Sequence, residues 1–278
     1  MTKKLNASQV AEAVARYASG ESTANIADCF GVSTVAISNL ARRRGVVRTR
    51  SMAQKRVSYD PFAFRRDDAE SRYWTGFMMA DGCIVHRAGR MPTLALVVSD
   101  VDREHLERFR AFLRSDHAIT KIAKRPNSNA SVRFALTCER LCADLAALGV
   151  RQRKSATAKA PDHLVMDRDF WRGVVDGDGS IGRYRAGAML RLVGSQDIVT
   201  QFLEFARTHV PTQASVRPHK SIFTTGIVGR IAEHLASVLY QSSDVALARK
   251  ANAALNVRAK ALVNAPEVSE RLRHRTAA

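Results

Sequence analysis

The sequence predicts an α+β protein: two related α-ββ-α-ββ-α halves, preceded by a small all-α module. Three observations carry this expectation. The stretch "RYWTGFMMADGCI" around Asp81 recurs in register around Asp178 as "DFWRGVVDGDGSI". Strand-like and helix-like patterns then follow each copy in one shared order. Residues 1–45, by contrast, hold only short helical patterns separated by glycines. The expected divisions are a helical module over 1–45, a basic linker over 46–66, a first half over 67–165, a second half over 166–260 and a tail over 261–278.

The 278 residues leave room for a large domain plus a small module. With 46% hydrophobic and 25% charged residues the composition is that of a globular chain. The charge balance is unusual: 44 basic residues against 26 acidic give a net charge of +18. Such an excess opposes compaction through self-repulsion, so a polyanionic partner is expected. Nucleic acid fits better than a membrane surface, because no basic amphipathic helix and no long apolar run stands out. The N-terminal "MTKKLNASQV" lacks the apolar stretch of a signal peptide. Cys29, Cys83, Cys138 and Cys142 are too scattered for a disulfide framework and form no ligand pattern with the histidines, so a reduced, cytoplasmic protein without zinc is expected. Helical spacing makes Cys138 and Cys142 core candidates.

In the module, "NASQVAEAVARYASG" opens on a capping residue and closes on Gly20, and "STANIADCFG" ends on Gly31. "VSTVAISNLARRRG" restarts at Ser33 and stops at Gly45. Small Ala27 at a helix crossing, a turn at Gly31, and a shared core of Ile26, Phe30, Val32, Ile37 and Leu40 are what a helix-turn-helix requires. The pattern resembles DNA-binding helix-turn-helix modules; a plain three-helix bundle is the alternative. Thr34, Val35, Ser38 and Asn39 point away from the apolar side and could reach base edges. Arg42, Arg43, Arg44, Arg48, Arg50, Lys55 and Arg56 follow with no acid among them, and such a run suits phosphates.

In each half the motif is followed by a strand pair ("CIVHR", "TLALVVS"; "SIGRYR", "MLRLVG") and a helix ("DREHLERFRAFLRS"; "SQDIVTQFLEFARTHV"). A second strand pair comes next ("AITKIAK", "SVRFALT"; "ASVRPH", "SIFTTG"), and then a last helix ("ERLCADLAALG"; "IVGRIAEHLASVLY"). A duplicated α+β unit implies two like halves meeting at a pseudo-twofold.

The motif itself carries local penalties. Each helical glycine costs about 1 kcal/mol relative to alanine, and an acid at a helix C-terminus faces the negative end of the macrodipole. Gly76 and Ala80, like Gly173 and Gly177, are spaced to make a smooth stripe on one helix face, which permits two backbones to pack unusually close. Side-by-side packing would bring Asp81 and Asp178 out together at one end. Two carboxylates ~5 Å apart repel by about 3 kcal/mol at an effective dielectric of about 20. A divalent cation reverses the sign of each of these terms, and carboxylates with water and phosphate oxygens are what Mg²⁺ prefers. The string Gly177-x-Gly179-x-x-Gly182 also satisfies a dinucleotide-binding pattern, but it lacks the strand before and the helix after that such a loop needs.

"WTGFMMADG" and "WRGVVDGDG" resemble the nine-residue motif of the LAGLIDADG homing endonucleases, with its third-position glycine, eighth-position acid and final glycine. The likeness covers residues 67–260. It implies a saddle of two antiparallel sheets straddling the DNA major groove, with the motif helices as its central interface. It implies a monomeric, two-motif, site-specific endonuclease that hydrolyses phosphodiesters on both strands of a long asymmetric double-stranded DNA site. Asp81 and Asp178 would hold Mg²⁺ (or Mn²⁺). Position six differs between the copies, Met79 against Asp176, whereas the metal ligand is the eighth position. A late lysine in each half is typical of the family, and Lys154 and Lys250 match it, each preceded by an arginine (Arg153, Arg249) and at similar distances from their motif aspartates. They could position water, stabilise transition-state charge or contact phosphate. Alternation in "SVRFALT" turns Val132, Phe134 and Leu136 inward and Arg133 outward; Arg183, Arg185, Arg191 and Arg217 are outward candidates by the same logic. A non-catalytic DNA-binding regulator or an intron maturase on the same scaffold is the alternative function.

Overall fold

The computed structural model describes residues 5–18, 21, 23–47, 57–123, 129–152, 154–184 and 187–257. The chain divides into two units, Met1–Ser58 and Tyr59–Ala278.

The first unit contains α1 (Ala7–Ala18), α2 (Thr23–Phe30) and α3 (Thr34–Arg43). Asn6 and Gln9 close a reciprocal cap at the start of α1: the Gln9 amide donates to Asn6 Oδ1 at 2.8 Å and the Asn6 amide to Gln9 Oε1 at 3.1 Å. Ser33 caps α3 by accepting the Ala36 amide at 3.1 Å. Gly31, at φ +65°, makes the turn between α2 and α3, where a side chain would be strained. Ala13, Ile26, Ala27, Phe30 and Ile37 are buried together, with Leu5, Tyr17, Val32 and Leu40 packed at their edge. Gly20, Arg48, Arg50, Lys55 and Arg56 lie outside the described residues.

The second unit is a mixture of helices and antiparallel sheets. Asp68 caps α4 (Ala69–Ala80) through the Ser71 amide at 2.6 Å. β1 (Gly82–Val85) and β2 (Thr93–Ser99) follow, then α5 (Arg103–Phe112), β3 (Thr120–Ile122), β4 (Ser131–Thr137) and α6 (Glu139–Ala147). Asp167 caps α7 (Arg168–Asp178) through the Phe170 amide at 2.7 Å. The sequence of elements then repeats: β5 (Gly179–Tyr184), β6 (Gly187–Gly194), α8 (Gln196–His209), β7 (Arg217–His219), β8 (Ile222–Val228) and α9 (Gly229–Tyr240). Residues 248–257 are also helical. Among the described residues there are two four-stranded sheets, ordered β1-β2-β4-β3 and β5-β6-β8-β7, with every neighbouring pair antiparallel.

Strand alternation gives each sheet one covered and one open face. Leu94, Leu96 and Val98 of β2 pair with Leu136, Phe134 and Val132 of β4, and all six are buried. In the second sheet Ala188, Leu190 and Leu192 turn inward. Burying each of these valine, leucine and phenylalanine side chains contributes roughly 1.5–3 kcal/mol. Cys138 and Cys142 are buried as well.

Two local expectations are corrected. Ile227 and Val228, read as the start of a helix, extend β8 and pair with Leu190 and Met189 of β6. Gly229, at φ +66°, then turns the chain straight into α9, so the helix opens two residues later than its apolar spacing suggests. Arg183, read as outward, pairs with Ala188 and shares the parity of Ile181, which pairs with Leu190. It therefore lies on the helix-covered side, where it donates to Glu233 of α9 at 2.7 Å and to the Val257 carbonyl at 3.2 Å.

Candidate active site

The two motif helices, α4 and α7, pack with their backbones in contact. A β-carbon added to Gly76 would stand 2.0 Å from the Phe170 carbonyl oxygen, and one on Gly173 would stand 2.1 Å from that of Tyr73. Only glycine fits at either position. One turn further on, a β-carbon on Gly177 would lie 2.3 Å from that of Ala80. Large side chains flanking the stripes turn into their own halves: Trp74 lies 5.0 Å from Phe109 of α5, and Trp171 lies 5.4 Å from Phe202 of α8. Tyr73 is the exception, since its hydroxyl crosses to Asp176 on the other motif helix.

Both helices reach their C-termini at this seam. Asp178 is the last residue of α7 and Asp81 the cap of α4. The Asp81 carboxylate comes within 3.4 Å of the β position of Gly177, the residue preceding Asp178. The two acids are thus brought together. Burial pushes the Asp178 carboxyl up to about 6, and the negative charge of Asp81 adds to that rise while Lys154 and Lys250 oppose it. Asp81 is exposed, yet the protein around it still strips enough water to raise its carboxyl, with the charge of Asp102 adding to the rise and Lys250, Lys154 and Arg249 opposing it.

Lys154 and Lys250 are 8% and 5% exposed, which is rare for lysine. Their ammonium groups sit at the C-terminal ends of the motif helices. Lys154 donates to the Gly82 carbonyl and, at 3.2 Å, to that of Ala80. Lys250 donates to the carbonyls of Val175 at 2.7 Å, Asp176 at 2.8 Å and Gly179 at 2.5 Å. Each lysine bonds carbonyls at the end of its motif helix and at the start of the strand that follows, and brings positive charge to the negative end of the helix dipole. Burial lowers both ammonium groups, Lys250 to about 8, with nearby acids opposing the shift. A cavity of about 110 Å³ opens beside Ala80, Lys154, Val174, Asp178 and Ser195. Arg249 turns to Asp102, 3.1 Å away, and Arg153 lies outside the described residues.

Two buried groups escaped the sequence reading. Asp176 is fully buried and accepts the Tyr73 hydroxyl at 2.7 Å, the Tyr240 hydroxyl at 2.6 Å and the Leu247 amide at 2.6 Å. Arg172, 1% exposed, pairs with Asp169 at 2.6 Å and donates to the carbonyls of Val245 and Leu239. In the sequence each shows only as a polar residue where the first copy has Met79 or Thr75.

On the open face of the first sheet Arg133 is half-exposed and stands opposite Val97. Arg191 and Arg217 share the open face of the second sheet: Arg191 pairs with Gly226, and Arg217 with Thr224, towards which the Arg191 guanidinium also donates. Arg185 lies outside the described residues. In the first unit Thr34, Val35, Asn39, Arg42, Arg43 and Arg44 are exposed on or just after α3, and Ser38 is half-buried with its hydroxyl on the Thr34 carbonyl. Among the described residues no helix is long and apolar enough to cross a membrane.

No family model and no curated protein matches this chain. Several solved structures are similar to it. The homing endonuclease I-WcaI bound to its DNA recognition sequence is 12% identical, over 62% of this chain and 79% of that one, with a TM-score of 0.46. The meganuclease I-SmaMI bound to uncleavable DNA is 12% identical, over 73% and 95%, with a TM-score of 0.47. The I-LtrWI LAGLIDADG homing endonuclease bound to target DNA is 9% identical, over 66% and 88%, with a TM-score of 0.45.

Proposed function

We propose that this chain is a monomeric, site-specific double-strand DNA endonuclease of the LAGLIDADG type, dependent on a divalent metal ion. The reading rests above all on Asp81 and Asp178, two carboxylates crowded together at the adjoining C-termini of glycine-packed helices. Folding gains nothing from that arrangement, whereas a cation would turn its repulsion into attraction. The net charge of +18, the open-face arginines Arg133, Arg191 and Arg217, and a basic helical module with Thr34, Val35, Ser38 and Asn39 on α3 support double-stranded DNA as the substrate.

The donor set suits Mg²⁺ or Mn²⁺. Among the described residues no cluster of three or more His, Cys, Asp or Glu could cage a metal. Two carboxylates, with remaining positions left to water and substrate phosphate, are the arrangement Mg²⁺ takes in phosphodiester chemistry. A metal bound there would lower the pKa of a water and neutralise charge on the phosphate.

The protein's own groups would do the rest. Asp81 and Asp178 would anchor the ion from opposite halves, held in place by the rigid helix pair. Lys250 has three carbonyl partners, so it would act as a fixed positive charge near the scissile phosphate rather than as a mobile proton donor. Lys154 keeps a donor in reserve and could also orient a water. The module on residues 1–45 would add contacts to the same duplex.

The test mixes the protein with a randomised duplex library and Mg²⁺. Double-strand breaks at one sequence, lost in EDTA and in Asp178→Asn, are expected. Tight binding with intact DNA under every condition would overturn catalysis and leave a regulator on the same scaffold.

A further inference from the structure

Lys154 and Lys250 occupy corresponding places, yet they are held by different means. Lys250 belongs to the helical segment 248–257, whose first turn begins at Leu247: the amides of Lys250 and Ala251 both donate to the Leu247 carbonyl, at 2.9 and 3.0 Å. The Leu247 amide donates in turn to Asp176 at 2.6 Å. Asp176 is immobilised by two further donors from separate elements, Tyr73 on α4 and Tyr240 at the end of α9. One fully buried carboxylate thus ties the segment that carries Lys250 to both motif helices.

The first half lacks this tie. The position matching Asp176 is Met79, 2% exposed, whose methyl group lies beside Gly149 and which has no carboxylate to receive an amide. Lys154 sits on a short turn, Lys154–Ala156, and reaches two carbonyls where Lys250 reaches three. A charge-assisted bond from an amide to a buried carboxylate is strong and directional, and a methionine contact is neither.

We infer that Asp176 is a positioning residue for Lys250, and that cleavage of one DNA strand depends on it while cleavage of the other does not. The inference rests on the proposed endonuclease function. The pseudo-twofold that relates Lys154 to Lys250 also relates the two strands of a duplex lying across it, so each lysine is nearer one scissile phosphate. Loosening the Leu247 tie displaces Lys250 and leaves Lys154 where it is.

The test uses the full chain and a supercoiled plasmid carrying the duplex selected from the randomised library. Single-turnover nicking of each strand is measured for Asp176→Asn, Tyr240→Phe, Lys250→Met and Lys154→Met. Asp176→Asn is expected to slow one strand by on the order of 10-fold or more relative to the other, since small displacements of a charged group are costly in the transition state. Tyr240→Phe biases the same strand more weakly, Lys250→Met slows that strand, and Lys154→Met slows the opposite one. Adding Asp176→Asn to Lys250→Met should add no further bias, because both act through one group. Partial unfolding lowers both rates together, so the ratio reads positioning alone. Equal slowing of both strands, or a bias towards the strand that Lys154 serves, overturns the inference.

Amide hydrogen exchange without DNA or metal gives a second readout. Asp176→Asn should lose protection at 247–250 and keep it at 154–158; unchanged protection at 247–250 also overturns the inference. If the unaltered protein nicks neither strand, the proposed function fails, and the exchange measurement still decides whether the tie exists.

Discussion

A β-carbon on Gly177 would stand 2.3 Å from the β-carbon of Ala80, well inside the contact distance of two methyl groups. The two residues face each other across the helix seam just before the paired aspartates. At Gly76 and Gly173 the obstacle is backbone carbonyl on the partner helix, which no side-chain change can remove.

Gly177→Ala should therefore destabilise the protein by roughly 1–3 kcal/mol, despite alanine's better helix propensity. Ala80→Gly in the same chain should recover most of that loss, because it removes the opposing atom. Gly76→Ala should be at least as damaging, and Ala80→Gly should not rescue it. Urea unfolding of these four variants and of Ala80→Gly alone checks this. An additive Gly177→Ala, Ala80→Gly pair would mean that the helices already yield at this point.

These glycines could be found in the sequence because the constraint occurs twice. Trp74 and Trp171 likewise repeat in register, and each settles on the first helix that follows its own motif. Asp176 could not be found that way. Its role exists in one copy only, and its partner Tyr73 is 103 residues distant. The face of Arg183 is not legible in the sequence because strand parity needs an anchor. Nothing in "SIGRYR" alone says that Ile181 turns inward, and one position decides the orientation of every neighbour. The lysine pair was legible as a pair, but its bonds to helix-end carbonyls depend on where the chain returns, which local pattern does not encode.

Asp81→Asn and Asp178→Asn should each stabilise the metal-free protein at neutral pH. Both carboxylates lose water on folding; Asp178 also feels the negative charge of Asp81, and Asp81 that of Asp102. For Asp178, whose carboxyl is lifted to about 6, removing the charge while keeping the shape should add roughly 1–2 kcal/mol after allowance for solvent, and for Asp81 the gain should be smaller. Mg²⁺ should stabilise the unaltered chain and have little effect on either variant, since an ion that binds only the folded state contributes by mass action. Calorimetry in EDTA and in Mg²⁺ measures both effects. A loss of stability in EDTA would show instead that attraction to Lys154 and Lys250 outweighs the repulsion.

His105 should make the protein acid-sensitive. It is 4% exposed, enclosed by Trp74 and Phe77, and its Nε2 lies 2.9 Å from the Tyr73 hydroxyl. That hydroxyl donates to Asp176, so Nε2 carries the proton and the ring is neutral. Burial first, then the positive charges of Arg108 and Arg249, pull its pKa down to about 3. Unfolded histidine titrates near 6.5. Between those values the unfolded chain binds the extra proton, so the contribution is complete above about 6.5 and declines as pH falls towards about 3, by roughly 1.4 kcal/mol per unit. His105→Phe keeps the aromatic packing and cannot titrate. The stability of the unaltered chain relative to His105→Phe should therefore fall by roughly 2 kcal/mol from pH 6.5 to pH 5 in urea unfolding. Parallel curves would place the proton elsewhere.

Arg183 and Arg217 should separate stability from DNA affinity. Arg217 is exposed on the open face of the second sheet, with Arg191 on the same face. Arg183 spends its guanidinium on Glu233 and the Val257 carbonyl on the opposite side. Arg217→Ala should weaken binding to the selected duplex and, if the contact is to phosphate, reduce the slope of log affinity against log salt by about 1. Arg191→Ala should weaken binding at one base position more than at others if it reads a guanine edge, a difference of about 1–3 kcal/mol. Arg183→Ala should cost about 1 kcal/mol of stability by breaking an ion pair that is partly shielded from water. Its affinity and salt slope should match those of the unaltered chain. Titrations at several salt concentrations, paired with urea midpoints, test all three variants. A salt slope reduced by Arg183→Ala would place DNA on the helix side of the second sheet, and the open face would lose its role as the binding surface.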